Sequence, residues 1–305
     1  MATREKIFDQ GKEFWNNYLK GRPRAPESLF DRIFNYHEAH GGLFGTVHDV
    51  GAGNAPYAQK LRSRFSRVIV SDITARNVEL ARERLGDDGF SYRAAKIEEV
   101  DDLEPGSIDL VFATNAMHFP DQRDAMNAVI KQLKSGGTFL CAAFGPARFE
   151  DENLQDLWKR ISYKAGRIIL EKSENPEKLI GIMARTQDFY NVAPLDPKFF
   201  LPGAKRIHLN MKKGGIVGFL PPDLPYKSTE PLYTGPDDAE SFEDEDGWSF
   251  KTDLAGVKDH MCSFPPISDH ISSFDDEFKQ LERLIGEDTV VRGYWPAKVI
   301  LATRR

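Results

Sequence analysis

Cysteine is almost missing from this chain. Cys141 and Cys262 are the only two, too few and too far apart for a CxxC redox pair, a clustered metal site or a disulfide framework. Long hydrophobic runs are missing too. No stretch reaches eighteen apolar residues, so no bilayer-spanning helix is expected. The first twenty residues, MATREKIFDQGKEFWNNYLK, mix charges with aromatics and lack the apolar core and small-residue cleavage site of a secretory signal. These absences lead to the expectation of a cytoplasmic protein with no membrane partner. Excess positive charge is also lacking, the net charge being −6. Because nucleic-acid binding rests on Lys and Arg neutralising phosphates, DNA and RNA are not expected as partners. The densest acidic run, from Asp237 to Asp246, reads as a solvated loop.

What is present is a globular balance of 40% hydrophobic and 29% charged residues in a chain of 305, long enough to bury a full core. From Thr46 to Arg148 short apolar strands alternate with amphipathic helices, the pattern of a parallel sheet built from right-handed crossovers. The strands are expected at Thr46–Val50, Val68–Ser71, Ser91–Ala94, Ile108–Thr114 and Thr138–Phe144. Helices are expected from about Thr74 to Leu85 and over Gln122–Lys134, the second closed by Gly136-Gly137 as a C-terminal cap. Beyond Phe144 the rhythm breaks. Residues from about Glu152 to Thr234 are richer in Pro, Gly and aromatics and read as an insertion; Lys205–Met211 and Lys298–Ala302 read as two further strands with helix Phe274–Ile285 between them.

The segment that carries chemistry is Val47-His48-Asp49-Val50-Gly51-Ala52-Gly53-Asn54-Ala55-Pro56, a strand running into a glycine turn and then a helix near Pro56 or Tyr57. Gly51 and Gly53 allow backbone to approach a ligand, proline is tolerated in the first helical turn, and Asn54 is a candidate cap. Such a turn at a helix start suits a bound ligand. The second strand ends at Asp72, 21 residues after Gly51, where an acid can accept ribose hydroxyls. A dinucleotide fingerprint would place glycine where this chain has Pro56, which weakens a nicotinamide dehydrogenase reading.

With these residues in place the chain resembles the class I S-adenosylmethionine-dependent methyltransferases. His48-Asp49-Val50-Gly51-Ala52-Gly53, Asp72, and Gly106-Ser107-Ile108-Asp109-Leu110-Val111-Phe112 are similar to successive motifs of that family. Ala116-Met117-His118-Phe119 and Leu133-Lys134-Ser135-Gly136-Gly137 resemble its trans-aconitate methyltransferase-like small-molecule branch, as do Tyr18 with Arg22-Pro23-Arg24-Ala25-Pro26 and the tail from Tyr294 to Arg304. The likeness is close over about 14–145 and thinner to 305. Ala55 stands where many members carry a third glycine, and Ala95-Lys96-Ile97-Glu98-Glu99 stands where a small residue and an acid usually frame adenine.

The resemblance implies an α/β fold with a doubly wound Rossmann-like seven-stranded sheet and an inserted cap. Its divisions would be a helical lid (1–40), a cofactor-binding core (41–150), a cap for substrate (151–250) and a C-terminal completion of the sheet (251–305). It implies S-adenosylmethionine as cofactor, with S-adenosylhomocysteine as product, held by Asp49, Gly51, Ala52, Gly53, Asp72, Ile73, Ile97, Glu98, Asn115, Tyr18 and Arg22. It also places His118 at the reacting edge, either as a base for a hydroxyl acceptor or as a group that only binds substrate. Trp15, Trp158, Tyr163 and Trp248, with His118, are the candidates for contact with a small-molecule acceptor, and Arg160, Arg167 and His260 join them by location. The expected activity is methyl transfer to an oxygen, hydroxyl or carboxylate, of a small organic molecule, secondary metabolites included. The rival expectations are a protein of this fold that binds the cofactor but catalyses a rearrangement or cyclisation or only binds ligand, and a protein or RNA methyltransferase, disfavoured because Thr114-Asn115-Ala116-Met117 lacks an Asn-Pro-Pro-Tyr-like motif. Residue types and spacing leave the oligomeric state open.

Overall fold

A computed structural model describes residues 12–224, 231–286 and 289–305. Residues 1–11 of the expected lid and 225–230 of the expected cap lie outside the described residues. Eleven strands are described: β1 (Thr46–Val50), β2 (Arg67–Asp72), β3 (Phe90–Ala94), β4 (Ile108–Thr114), β5 (Leu133–Phe144), β6 (Arg148–Phe149), β7 (Lys205–Leu209), β8 (Ala239–Glu243), β9 (Ser249–Thr252), β10 (Val291–Tyr294) and β11 (Ala297–Thr303). The α-helices are α1 (Lys12–Gly21), α2 (Glu27–Ala39), α3 (Ala58–Arg62), α4 (Ala75–Leu85), α5 (Gln122–Gln132), α6 (Glu152–Glu171), α7 (Pro176–Thr186), α8 (Leu254–Cys262), α9 (Pro265–Ser268) and α10 (Asp275–Leu284).

The main sheet runs β3-β2-β1-β4-β5-β11-β7-β8. The first five strands are parallel, and β11 enters antiparallel between β5 and β7. All seven strands read from the sequence are in it. Alternation along β4 shows why they form: Leu110 and Phe112 face a core shared with α2 and α3, while Val111 and Ala113 face one shared with α5. Strands buried on both faces read as continuous apolar runs. The order reverses between β1 and β4, and ligands of open α/β sheets bind at the carboxyl ends of the strands beside such a reversal.

Three expectations are corrected. The sheet gains an eighth strand, β8, parallel to β7, so the segment 151–250 contributes two strands to a sheet expected to have seven. The acidic run is accordingly paired structure rather than a solvated loop. Asp238 meets buried Arg206 at 2.5 Å, Glu240 meets His208 at 2.7 Å, Arg32 lies 3.0 and 3.3 Å from Glu243 and Glu245, and Lys212 lies 2.6 Å from Asp244. Finally, Gly136 does not cap α5. The chain turns extended at Leu133, which pairs with Ile108, and Gly136 donates its N–H to the carbonyl of Arg304 at 2.8 Å.

A second core lies outside the sheet, formed by α6, α8, α9 and α10 over the short sheet β6-β10-β9. Helices α6 and α8 start on side-chain caps: Asp151 accepts the Leu154 N–H and Asp253 the Gly256 N–H, each satisfying a donor left orphaned by the first turn. Among the described residues no helix is long and apolar enough to cross a membrane.

Candidate active site

A cavity of about 1250 Å³ opens at the carboxyl edge of the sheet. Single-ligand pockets span roughly 300–1,000 Å³, so this one has room for two ligands. One half is lined by Trp15, Tyr18 and Arg22 of the N-terminal segment, the turn Gly51–Asn54, Asp72, Ile73, Ile97 and Glu98. The other half is lined by Asn115 and His118 after β4, by α7, by Tyr190 and by Ile216–Phe219.

The glycine turn is shaped by close approach. Gly51 and Gly53 adopt φ of 63° and 57°, and a Cβ on them would stand 2.6 Å from the Cβ of Ala116 and 2.7 Å from Cη2 of Trp15. Ala55 adopts φ of 56° as well, taking up the left-handed conformation that a third glycine would enter freely. Asn54 does not cap α3, whose N-cap Tyr57 makes no side-chain bond. Its Oδ1 is instead buried without a partner, as are Oδ2 of Asp49 and Nε of Arg22.

Asp72 organises the turn. Its Oδ2 accepts the Gly53 N–H at 2.8 Å, and its Oδ1 accepts the Thr74 N–H at 2.9 Å and Nδ2 of Asn77 at 3.1 Å. The Thr74 hydroxyl bonds the same carboxylate, so these donors fill about the four lone-pair sites of a carboxylate, and a ribose hydroxyl would share or displace one of them. Asn77 in turn accepts the Trp15 indole N–H at 3.0 Å. That chain joins α1 to the acid and the acid to the turn. Burial pushes the Asp72 carboxyl upward, and burial reinforced by the Asp72 charge pushes Asp49 up further. Asp49 lies beneath the turn and does not line the cavity.

The cofactor named by the sequence fits this half. Arg22 is half-buried, and among the described residues no carboxylate pairs with it; its guanidinium stacks 3.6 Å from the Phe264 ring and 4.9 Å from Tyr18, and burial lowers its pKa. A guanidinium whose buried Nε has no partner is costly and suits the carboxylate of a methionine moiety. The orphan Oδ1 of Asn54 suits its ammonium. Ile73 and Ile97 supply apolar surface for a base.

In the second half His118 is buried, its Nδ1 3.1 Å from the Tyr190 hydroxyl. Arg185 donates from Nε to the His118 carbonyl at 3.0 Å. Burial, reinforced by Arg185, pushes the imidazole down to about 3, so it is neutral at physiological pH. Asn115, at φ 53°, is fixed by its Oδ1 accepting the Phe144 N–H at 2.9 Å. Helix α7 starts cleanly, with Asn175 accepting the Lys178 N–H at 3.0 Å and Pro176 in the first turn.

Several expected acceptor contacts lie elsewhere. Trp158 and Trp248 are fully buried, the first against His260 and Phe264 in the second core, the second 5.0 Å from Phe144 under the sheet. Tyr163 is half-buried on α6 and does not line the cavity. Arg160 bonds Gln280 and Arg167 bonds Asp223. His260 is structural, its Nδ1 2.8 Å from the Gly21 carbonyl and its Nε2 accepting the Ala147 N–H at 3.1 Å. Trp15 covers the glycine turn rather than the acceptor half. Tyr190 and Arg185, which the sequence reading missed, sit in no motif; the one signal was an aromatic and a basic residue in the insertion, indistinguishable there from Trp158 and Arg167.

Comparison with known proteins agrees with this geometry. A family model described as a methyltransferase domain matches residues 48–141. The chain is 59% identical to methyltransferase AacuQ of Aspergillus aculeatus over 303 residues, 99% of this chain and 97% of the relative. It is 53% identical to methyltransferase tpcM of Aspergillus fumigatus over 100% of this chain and 96% of the relative. Among solved structures, one described as a type II methyltransferase from Anaeromyxobacter dehalogenans superposes with a TM-score of 0.55 at 17% identity, covering 92% of this chain and 97% of the other, a likeness of fold.

Proposed function

The chain belongs to the class I S-adenosylmethionine-dependent methyltransferases, and from that premise we propose that it moves the methyl group to an oxygen of a small organic acceptor, a secondary metabolite in the first instance. The observation that carries this reading is one cavity holding both the glycine turn with Asp72 and a second half around His118.

S-adenosylmethionine supplies an electrophilic methyl group when bound. The chain's own residues do the rest: Asp72 and the turn Gly51–Asn54 hold the nucleoside and amino-acid ends with Arg22 and Tyr18, Ile97 and Glu98 border the base, and Trp15 excludes water above Gly53. Transfer from a sulfonium needs alignment more than acid–base help, and α7 with the 187–219 segment provides the wall that aligns the acceptor. Neutral His118 next to Arg185 supports oxygen as the accepting atom, since both offer N–H groups or positive charge to an oxygen carrying negative charge.

Isothermal titration with S-adenosylmethionine and S-adenosylhomocysteine, with Asp72→Ala alongside, tests cofactor binding. Release of S-adenosylhomocysteine with hydroxyl- and carboxyl-bearing acceptors then tests the oxygen assignment. Methylation confined to nitrogen, sulfur or carbon acceptors would overturn it.

A further inference from the structure

The third left-handed residue of the cofactor turn is not a glycine. Ala55 has φ of 56°, a conformation costly for a residue that carries a Cβ. It also precedes Pro56, and the residue before a proline prefers extended backbone. Two local rules therefore speak against the conformation that this fully buried alanine holds. Such strain persists only where the surroundings over-determine the backbone.

What over-determines it is Arg84. One terminal amino group of its guanidinium donates to the Asn54 carbonyl at 2.8 Å and to the Ala55 carbonyl at 2.6 Å. These carbonyls belong to the peptide planes on either side of Ala55, and the rotation of one plane against the other is φ and ψ of that residue. A donor held to both sets its dihedrals, and a charged donor makes the stronger kind of hydrogen bond. The Ala55 N–H is taken by the Ala52 carbonyl at 2.8 Å, and the Ala55 carbonyl also accepts the Ala58 N–H at 3.3 Å where α3 begins. Helix α4 places the clamp. Asn77, Ala81 and Arg84 follow at i, i+4 and i+7 and share one face. Asn77 donates to Asp72 and accepts from Trp15, Ala81 is buried between, and Arg84 ends the row beside Asn54 and Pro56 on the cavity wall. One helix face thus grips the turn at two points, through the acid at Gly53 and directly at Asn54 and Ala55.

We infer that Arg84 is a positioning residue for cofactor binding, which holds Ala55 left-handed and thereby fixes the path of Gly53 and Asn54 against the ligand. It acts through the backbone and not by touching the cofactor. Its removal therefore matters only while residue 55 resists its own conformation, and a glycine there, which enters positive φ freely, makes the clamp dispensable. This rests on the reading above that the cofactor lies against the turn.

The test is a double-mutant cycle on the full chain, read by calorimetry with S-adenosylhomocysteine and by denaturant melts. Arg84→Met keeps most of the stem, removes the donors and should bind S-adenosylhomocysteine about tenfold more weakly. Ala55→Gly alone should bind within about threefold of the parent, and adding Arg84→Met to it should cost less than about threefold. A tenfold loss in both backgrounds would mean that the guanidinium serves the ligand directly, and it overturns the inference. So does a merely structural Arg84, which would lower the melts and leave the affinity of the folded protein unchanged. If Arg84→Met alone does not fold, the double variant decides: recovery of fold and affinity supports the clamp, and failure of both overturns it. Asp72→Ala keeps the two readings apart. Retained affinity in that variant would place the ligand elsewhere, whereas its loss beside an uncoupled cycle at 55 and 84 sinks the clamp alone.

Discussion

The Cβ of Ala116, just past the end of β4, stands 2.6 Å from the place that a Cβ on Gly51 would occupy at the end of β1. Two adjacent strand ends therefore close on each other over a hydrogen atom. Gly51→Ala adds both a left-handed alanine, about 1–2 kcal/mol, and overpacking of about 1–3 kcal/mol. A loss of roughly 2–5 kcal/mol is expected in a denaturant melt, and a variant as stable as the parent would contradict the geometry.

At Gly53 the obstacle is Trp15 instead, 2.7 Å away at Cη2. Gly53→Ala should be destabilised and weakened in cofactor binding, and Trp15→Leu should recover part of the packing cost. A double-mutant cycle measures this, with an expected coupling of about 0.5–3 kcal/mol between residues in contact. Strict additivity would mean that α1 does not rest on the turn.

For Asp72→Ala the donors Gly53 N, Thr74 N, the Thr74 hydroxyl and Asn77 Nδ2 lose their acceptor. An unsatisfied buried donor costs about 1–3 kcal/mol, so calorimetry should show S-adenosylhomocysteine affinity reduced by at least about tenfold, roughly 1.4 kcal/mol. Retained affinity would place the ribose elsewhere.

Arg22→Met keeps a stem that can pack on Phe264 but removes the guanidinium. S-adenosylhomocysteine should bind about tenfold or more weakly to the variant, while methylthioadenosine, which lacks the amino-acid end, should bind as before. Equal losses for both ligands would show that Arg22 serves packing and not the cofactor's carboxylate.

Lys298 supplies the pH prediction. It is buried, 2.6 Å from Nε2 of His208 and 3.9 Å from Glu240, and burial, followed by the nearby Arg206 charge, pushes its pKa down to about 7. Between about pH 7 and its unfolded value near 10.4 the unfolded chain holds the extra proton, so this group's penalty is full below pH 7 and eases as pH rises. Lys298→Met should gain more in melting temperature, relative to the parent, at pH 6.5 than at pH 9.5. A pH-independent difference would mean that the ammonium is not desolvated.

The sequence disclosed the sheet where burial on both faces writes a continuous apolar run, as in Thr46–Val50 and Ile108–Thr114, whose bounds coincide with the strands. It disclosed the cofactor half of the site because there the ligand contacts a local motif, a turn and an acid. Strand β8 was hidden because Ala-Glu-Ser-Phe-Glu carries the composition of a solvated loop, and the partners of its acidic residues and of neighbouring Asp238, Arg206, His208 and Lys298, come from strands distant in sequence. The acceptor half was hidden for the same reason. Tyr190 reaches His118 across 72 residues, and nothing in an aromatic's identity tells whether it faces a cavity, as Tyr190 does, or a core, as Trp158 does.

Helix α1 is seated by residues far along the chain. Gly21 lies so close to α8 that a Cβ on it would stand 2.1 Å from the Asp259 carbonyl oxygen, and its own carbonyl is held by His260. Strand β7 likewise waits for β11 before it can join the sheet. The helix that covers the cofactor turn is therefore anchored 239 residues further along the chain, so the nucleoside half of the site is covered only while that long-range contact holds.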